Sequence, residues 1–385
     1  MSKQSKIGLV LSGGGARASY QAGVLEGIAE ILAPYREDIP FPIITGISAG
    51  AINGSYLVGQ EGDFLKVAQG LSKLWDKLTI DQVVRTDLKS LGKIGVNWIK
   101  DIASGGIFGS SSSTYLLETS PLFKLLYDNV DFGILRKKLS AGGLEAFCVS
   151  ATNYATGTAV SFYEGAAPES KDWVRTGRLG FRARISYKHI LASASIPILF
   201  PPVKVGGTFY GDGGVRLTSP LSPAIHLGSE KVLVIGIRHH RTISLVEELQ
   251  EKKKIKDISI ADIAGVLLNS TFLDPLLTDI ERMERINKTL AMFPEEDEKP
   301  KHLREIPLLA IQPSQDLATL AGEEFENMPR ILRHLLRGLG ATPERGWDLL
   351  SYMAFEASYT RKTIELGRKD AFRLKAEILD FFEVK

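Results

Sequence analysis

The stretch "ITGISAGAINGSY", Ile44–Tyr56, decides how this chain is read. A short apolar run with strand character enters Gly-Ile-Ser-Ala-Gly, and a run of small residues with helical character leaves it towards Val58. Two readings compete for Ser48. In one, Gly46 and Gly50 permit a strand-to-helix turn too tight for a Cβ, and Ser48 is a nucleophile at the positive end of the following helix. In the other, Ser48 is an ordinary N-cap of a βα turn. The pentapeptide alone does not choose between them.

Upstream, "LVLSGGGARASYQAG" (Leu9–Gly23) places three consecutive glycines directly after another strand-like run. Backbone N–H groups there are unobstructed by side chains and suit a phosphate or the oxyanion of a tetrahedral intermediate. No Gly-Lys-Ser/Thr follows, and the second strand ends in the serine turn rather than in an acidic ribose-binding residue. The oxyanion reading is the stronger. Downstream, "YGDGG" (Tyr210–Gly214) offers Asp212, although Asp-Gly is also a common turn dipeptide.

An activated serine needs a base. The six histidines, His189, His226, His239, His240, His302 and His334, stand in no glycine-framed setting, and the His239–His240 pair reads as surface. An ordinary α/β-hydrolase would also carry its serine turn after several strands, whereas Ser48 follows only the second. A Ser-His-Asp hydrolase is therefore disfavoured.

Composition narrows the classes further. The 385 residues are 44% hydrophobic and 24% charged with a net charge of +2, which gives no pull towards nucleic acid. The longest apolar runs, "VLVIGI" and "IPILF", are too short to span a bilayer, and the N-terminus lacks a full signal-peptide pattern. A cytoplasmic location is expected, with peripheral membrane contact as an addition. Cys148 is the only cysteine, which excludes an internal disulfide and a thiolate metal cluster; its apolar neighbours predict a core position. No metal site and no cofactor are expected.

Strand-like runs alternate with helix-like ones through the first part: "KIGLVLS", "PIITGIS", "EAFCVSATNY", "TAVSFYE", the hairpin "PPVKVGGTFYGDGG" and "KVLVIGI". The pattern predicts a mostly parallel sheet covered on both faces. From about Ser244 the chain turns helical, with charge runs "EELQEKKKIKD" and "PEEDEKPKH", one late strand "EIPLLAIQPS" and a long amphipathic ending from Ser351 to Phe382. No linker separates the parts, so residues 1–243 are expected to form the catalytic core and 244–385 a helical portion on the same domain.

In combination, "GGGARA", "GISAG" and "DGG" resemble the patatin-like phospholipases, lipid acyl hydrolases with a Ser-Asp dyad. "SATNYATGTAVSFYEG" and "ASASIPILFPPV" resemble the segments that precede the family's aspartate, and "LNSTFLDPLLTDIERMERIN" with "SYMAFEASYTRKTIELGRKDA" resemble the C-terminal portion of bacterial members. The resemblance implies a three-layer α/β/α patatin-like fold with a helical C-terminal portion. It implies Ser48 as nucleophile and Asp212 as its partner, Gly13, Gly14 and Gly15 with Arg17 as the oxyanion loop, and Gly46, Gly50, Gly213 and Gly214 as supports of the turn and dyad. Ala18 and Ile47 depart from the family pattern. Arg17 is open between bracing the loop by a salt bridge and meeting a lipid phosphate.

Phospholipids or lysophospholipids are the substrates this resemblance implies. An acyltransferase or thioesterase using the same acyl-enzyme, or a lipid-binding protein without catalysis, are the alternatives. Leu88–Gly109 mixes lysines with apolar residues including Trp98 and Phe108, and reads either as an interfacial lid or as an insertion packed on the core. Oligomeric state is not legible.

Overall fold

Side-chain alternation in the first strand sets up the two covered faces. The computed structural model describes residues 5–85, 115–165, 172–239, 247, 257–293, 300–301 and 303–384. Strand β1 (Ile7–Leu11) sends Leu9 and Leu11 to one face and Val10 to the other, as the two-residue period of a strand requires. Because both faces are apolar, the strand is buried along its whole length, which is how a strand of a doubly covered parallel sheet is built.

Among the described residues the sheet has ten strands, in the order β10-β9-β1-β2-β3-β4-β6-β5, with the β7–β8 hairpin joined to β3. The remaining strands are β2 (Ile43–Ile47), β3 (Ala146–Asn153), β4 (Thr158–Gly165), β5 (Trp173–Arg175), β6 (Arg178–Arg182), β7 (Val203–Val205), β8 (Thr208–Asp212), β9 (Lys231–Ile235) and β10 (Leu308–Ile311). The run from β10 to β3 is parallel, in register Leu9↔Ile44 and Ile44↔Phe147. β3 pairs antiparallel with β4 and with β8, so the sheet is mixed at that side. The β5–β6 hairpin "WVRTGRLGFR", turning at Gly177 (φ 69°), was not among the expected strands; its alternating polar residues hide the apolar period that marks the others.

On one face lie α1 (Ser19–Leu32), α2 (Ala49–Val58), α3 (Phe64–Asp76) and the C-terminal helix Ala357–Arg373. Gly23 and Gly367 let the C-terminal helix lie against α1: a Cβ on Gly23 would meet the Ile364 carbonyl at 2.0 Å, and one on Gly367 the Tyr20 carbonyl at 2.3 Å. On the other face Ser222–His226 and Asp274–Leu290 cover Val10, Val232 and Val234. Cys148 is buried beside Tyr163 and Trp173, and burial pushes its thiol well up from the ordinary range, so it is a core residue.

The C-terminal part contributes β10 to the same sheet, beside β9. Its amphipathic ending is three helices rather than one: Trp347–Met353, Ala357–Arg373 and Lys375–Phe381. One stretch among the described residues, Ile260–Leu290, is long and apolar enough to cross a membrane by length and composition, which amends the expectation that no run is. It consists of two helices, Ile260–Phe272 and Asp274–Leu290, joined at Leu273. The stretch Leu88–Gly109 falls outside the described residues, as do His240 and His302.

Candidate active site

Parallel strands end at one rim of the sheet, and the loops leaving β1 and β2 meet there. Ser48 leaves β2 with φ 54° and ψ −126°, a positive φ that an L-residue adopts only under local strain. It occupies the N-cap position of α2, yet its side chain makes no capping hydrogen bond. The Ser48 hydroxyl is therefore not engaged as a side-chain cap of α2. Gly50 permits the turn: a Cβ there would stand 2.2 Å from the Leu11 carbonyl oxygen. Gly46 is equally constrained, since its Cβ would meet Ala51 Cα at 2.6 Å.

The glycine loop presses directly on this turn. A Cβ on Gly13 would lie 2.7 Å from Ser48 Cβ and 3.5 Å from Ser48 Oγ. Gly14 (φ 152°) and Gly15 (φ 60°) then turn the chain into a short 3-10 helix, Gly15–Ala18. A buried polar network fixes the base of the loop. Gln21 Nε2 donates to the carbonyls of Ser12 (2.9 Å) and Ile235 (3.1 Å), and Asn53 Nδ2 donates to the Ala18 carbonyl at 3.0 Å. Ala18 itself has φ −69°, so its methyl group imposes no strain.

Asp212 ends β8 and is fully buried. Its Oδ1 accepts from Gly214 N–H at 2.9 Å, while Oδ2 has no hydrogen-bond partner among the described residues. Burial raises its pKa to about 7, against the opposing pull of the Ser48 hydroxyl and the Gly214 N–H. Gly213 is required by a close approach, because its Cβ would meet the Ser150 carbonyl at 2.1 Å. The structure thus brings Ser48 and Asp212, which are far apart in sequence, into one buried site with the glycine loop.

Three further residues, Ser193, Ser195 and Thr152, hold the pair and were not singled out from sequence. Ser193 Oγ accepts from the Ser48 amide at 2.9 Å and donates to the Ser150 carbonyl at 2.6 Å. The Asp212 amide donates to the Ser195 carbonyl at 2.8 Å, and Thr152 Oγ1 donates to the Asp212 carbonyl at 2.7 Å. Both serines lie in "ASASIPILFPPV", so the signal was present in the segment but not in any one residue of it.

The Arg17 side chain points away from the glycine loop. The guanidinium is buried and turned into the C-terminal helices, where it donates to Ser351 Oγ (2.7 Å), pairs with Asp348 Oδ1 (2.9 Å) and lies over the Tyr352 ring at 4.7 Å. The bracing role is the one the geometry contains, and the lipid-phosphate alternative is set aside because the cation is spent. Among the described residues no histidine hydrogen-bonds to Ser48 or Asp212. His189 Nδ1 closes a capping box on Ser186 and burial lowers its pKa to about 4, while His226 stacks on Trp173. His239 is half-buried rather than surface, with Nδ1 donating to the Pro313 carbonyl at 2.8 Å.

An apolar slot lies against Ser48. Gly15 and Ser48 line it together with Trp75, Leu78, Leu122, Leu125, Phe200 and Phe355. Such a slot suits a hydrocarbon chain better than a polar substrate. Among the described residues no group of acidic, histidine and cysteine side chains is arranged to hold a metal ion.

A family model described as patatin-like phospholipase matches residues 9–225, more than half of the chain. The chain belongs to that family. The match runs through the glycine loop, Ser48 and Asp212. Among solved structures, VipD from Legionella pneumophila aligns at 13% identity with a TM-score of 0.38, covering 97% of this chain and 67% of that one. Human GIVD cytosolic phospholipase A2, in complex with methyl gamma-linolenyl fluorophosphonate, aligns at 13% identity with a TM-score of 0.43. The alignment covers 98% of this chain and 59% of the human one. No curated protein matches the chain. Membership of the patatin-like phospholipases supports lipid acyl hydrolysis at the level of the family.

Proposed function

We propose that this patatin-like protein hydrolyses fatty acyl esters of phospholipids or lysophospholipids through a Ser48–Asp212 dyad and an acyl-enzyme. One observation carries the reading: a strained serine whose side chain caps nothing stands beside a fully buried carboxylate with a pKa of about 7 and lines an apolar slot. A free aspartate, with a reference pKa near ~3.9, is too weak a base for a hydroxyl at neutral pH. Burial brings Asp212 to the strength the task needs.

The acyl chain occupies the slot and brings its ester carbonyl to Ser48. Asp212 accepts the hydroxyl proton as the Ser48 Oγ–carbon bond forms. Amides of the Gly13–Gly15 loop stabilise the oxyanion, each good donor contributing roughly 3–4 kcal/mol. The tetrahedral intermediate collapses, the proton held by Asp212 passes to the leaving alcohol, and the acyl group remains on Ser48. Water then attacks the acyl-enzyme with Asp212 again accepting the proton, which returns to Ser48 as the fatty acid leaves. No histidine takes part.

Mass spectrometry of mixed-phospholipid liposomes incubated with wild type and Ser48→Ala tests the reading. Release of fatty acid and lysolipid by the wild type alone is expected. Equal release by both proteins, or transfer of the acyl group only to an added thiol or alcohol acceptor, would contradict it.

A further inference from the structure

Helix Ile260–Phe272 carries an apolar face that is exposed among the described residues. Ile258, Ile260, Ile263, Val266 and Leu267 are 73%, 63%, 53%, 66% and 61% exposed. Isolated exposed apolar residues are ordinary, but five within ten positions, recurring at helical spacing, form one continuous stripe. The only charge on this helix, Asp262, is consumed: it closes the capping box with Ser259, accepts from the Gly346 amide and faces Arg345. The exposed face is therefore uncharged.

The opposite face is packed. Ala261, Gly265, Asn269 and Phe272 are buried; a Cβ on Gly265 would meet Asp348 Cβ at 2.7 Å, and one on Gly214 would meet Phe272 at 2.3 Å. A helix that is apolar outside and anchored inside is built to lie in a surface, not to cross one, which disposes of the spanning alternative for Ile260–Leu290. The stripe is continued by the neighbouring helix Arg330–Gly338, whose cap Leu339 accepts from the Ala261 amide at 2.9 Å and is itself exposed, as is Leu335. Charge on that neighbour favours one occupant: Arg330–Gly338 carries three arginines and no acidic residue, while Arg345 beyond it is already paired with Asp262. Arg330 is exposed on this helix, and Arg333 and Arg337 share the single Glu326.

We propose that the face formed by Ile258, Ile260, Ile263, Val266, Leu267 and Leu339 docks on an anionic lipid bilayer. The apolar stripe enters the boundary between headgroups and acyl chains, and the arginine-rich helix meets the phosphates at its edge. The inner end of the same helix abuts the site, Phe272 against Gly214 and Leu273 beside Gly14. A protein seated on this face therefore holds its glycine loop and Asp212 turn close to the surface from which substrate is drawn. The inference gains its purpose from the proposed lipid hydrolysis, but docking requires no turnover.

Flotation with phosphatidylcholine vesicles, with and without phosphatidylglycerol, measures it. The full chain is used as Ser48→Ala, so that vesicles remain intact, and as Ser48→Ala with Ile263→Gln and Leu267→Gln. Binding to the anionic vesicles, weakened by salt and reduced at least tenfold by the glutamine pair, is expected. In the background with Ser48 intact, the glutamine pair should leave hydrolysis of a short, dispersed ester unchanged and thermal stability within a few degrees. Undiminished vesicle binding by the folded variant overturns the proposal. A dimer of the parent chain that the glutamine pair dissociates overturns it in favour of a second copy. A large loss of thermal stability overturns it in favour of a face covered by the chain itself. Absence of ester hydrolysis with docking intact would count against the proposed function alone.

Discussion

Ser193 Oγ lies 2.9 Å from the Ser48 amide and is the acceptor that pins the strained turn to β3. A serine with φ 54° needs such an anchor, because its backbone would otherwise relax away from this conformation.

Ser193→Ala leaves that buried N–H unpartnered, at a cost of about 1–3 kcal/mol. The expected result is a kcat lowered about 10- to 100-fold with KM little changed, measured by steady-state kinetics. Ser195→Ala is the control. Its hydroxyl only donates to the Leu191 carbonyl at 2.7 Å, so kcat should stay near wild type.

Activity should depend on ionisation of Asp212. With its pKa raised to about 7 by burial, kcat/KM rises with pH through a limb near 7 as the carboxyl loses its proton. Stability moves the other way. The folded state holds this proton more tightly than the unfolded one, with its reference near ~3.9, so the contribution is full below that value and is lost as pH rises through about 7. Asp212→Asn removes the ionisation. Its melting temperature relative to wild type should improve between pH 5 and pH 8 by the equivalent of a few kcal/mol, with activity lost.

The glycines differ in what a methyl group would strike. Gly13→Ala places its Cβ against Ser48 Cβ, in the loop itself, so a loss of about 100-fold in kcat with a modest fall in melting temperature is expected. Gly50→Ala strikes the Leu11 backbone at the junction of β1 and α2, and should lower the yield of folded protein instead. Circular dichroism melts beside rate measurements separate the two outcomes.

Arg17→Ala removes a buried guanidinium that donates to Ser351 Oγ and pairs with Asp348, and so lowers stability. Thermal melts should show this loss. The fall in activity should be the same for zwitterionic and anionic lipids, whereas a phosphate-binding Arg17 would produce a headgroup-dependent change in KM.

Much of the fold was legible because the strands Ile7–Leu11, Ile43–Ile47 and Lys231–Ile235 are buried on both faces, and continuous β-branched runs say so. The β5–β6 hairpin was not, since a half-exposed edge such as Trp173–Arg175 carries no such run. At the site, glycines announced Ser48 and Asp212 because each stands where a Cβ cannot. Arg17 was open because a basic residue in a loop reads the same whether it meets a ligand or a distant carboxylate. Asp348 and Ser351, which decide the matter, lie more than three hundred residues away. Ser193 was missed for a similar reason: its acceptor role exists only once the turn at Ser48 is folded beside it.

The central claim is that Asp212 activates Ser48 directly. The most direct measurement is the rate of covalent labelling by an alkyl fluorophosphonate, with the modified peptide mapped by mass spectrometry, in wild type, Asp212→Asn and His189→Gln. Labelling of Ser48 alone is predicted, slowed at least 100-fold by Asp212→Asn and little changed by His189→Gln. Labelling elsewhere, or at an unchanged rate in Asp212→Asn, would contradict the account.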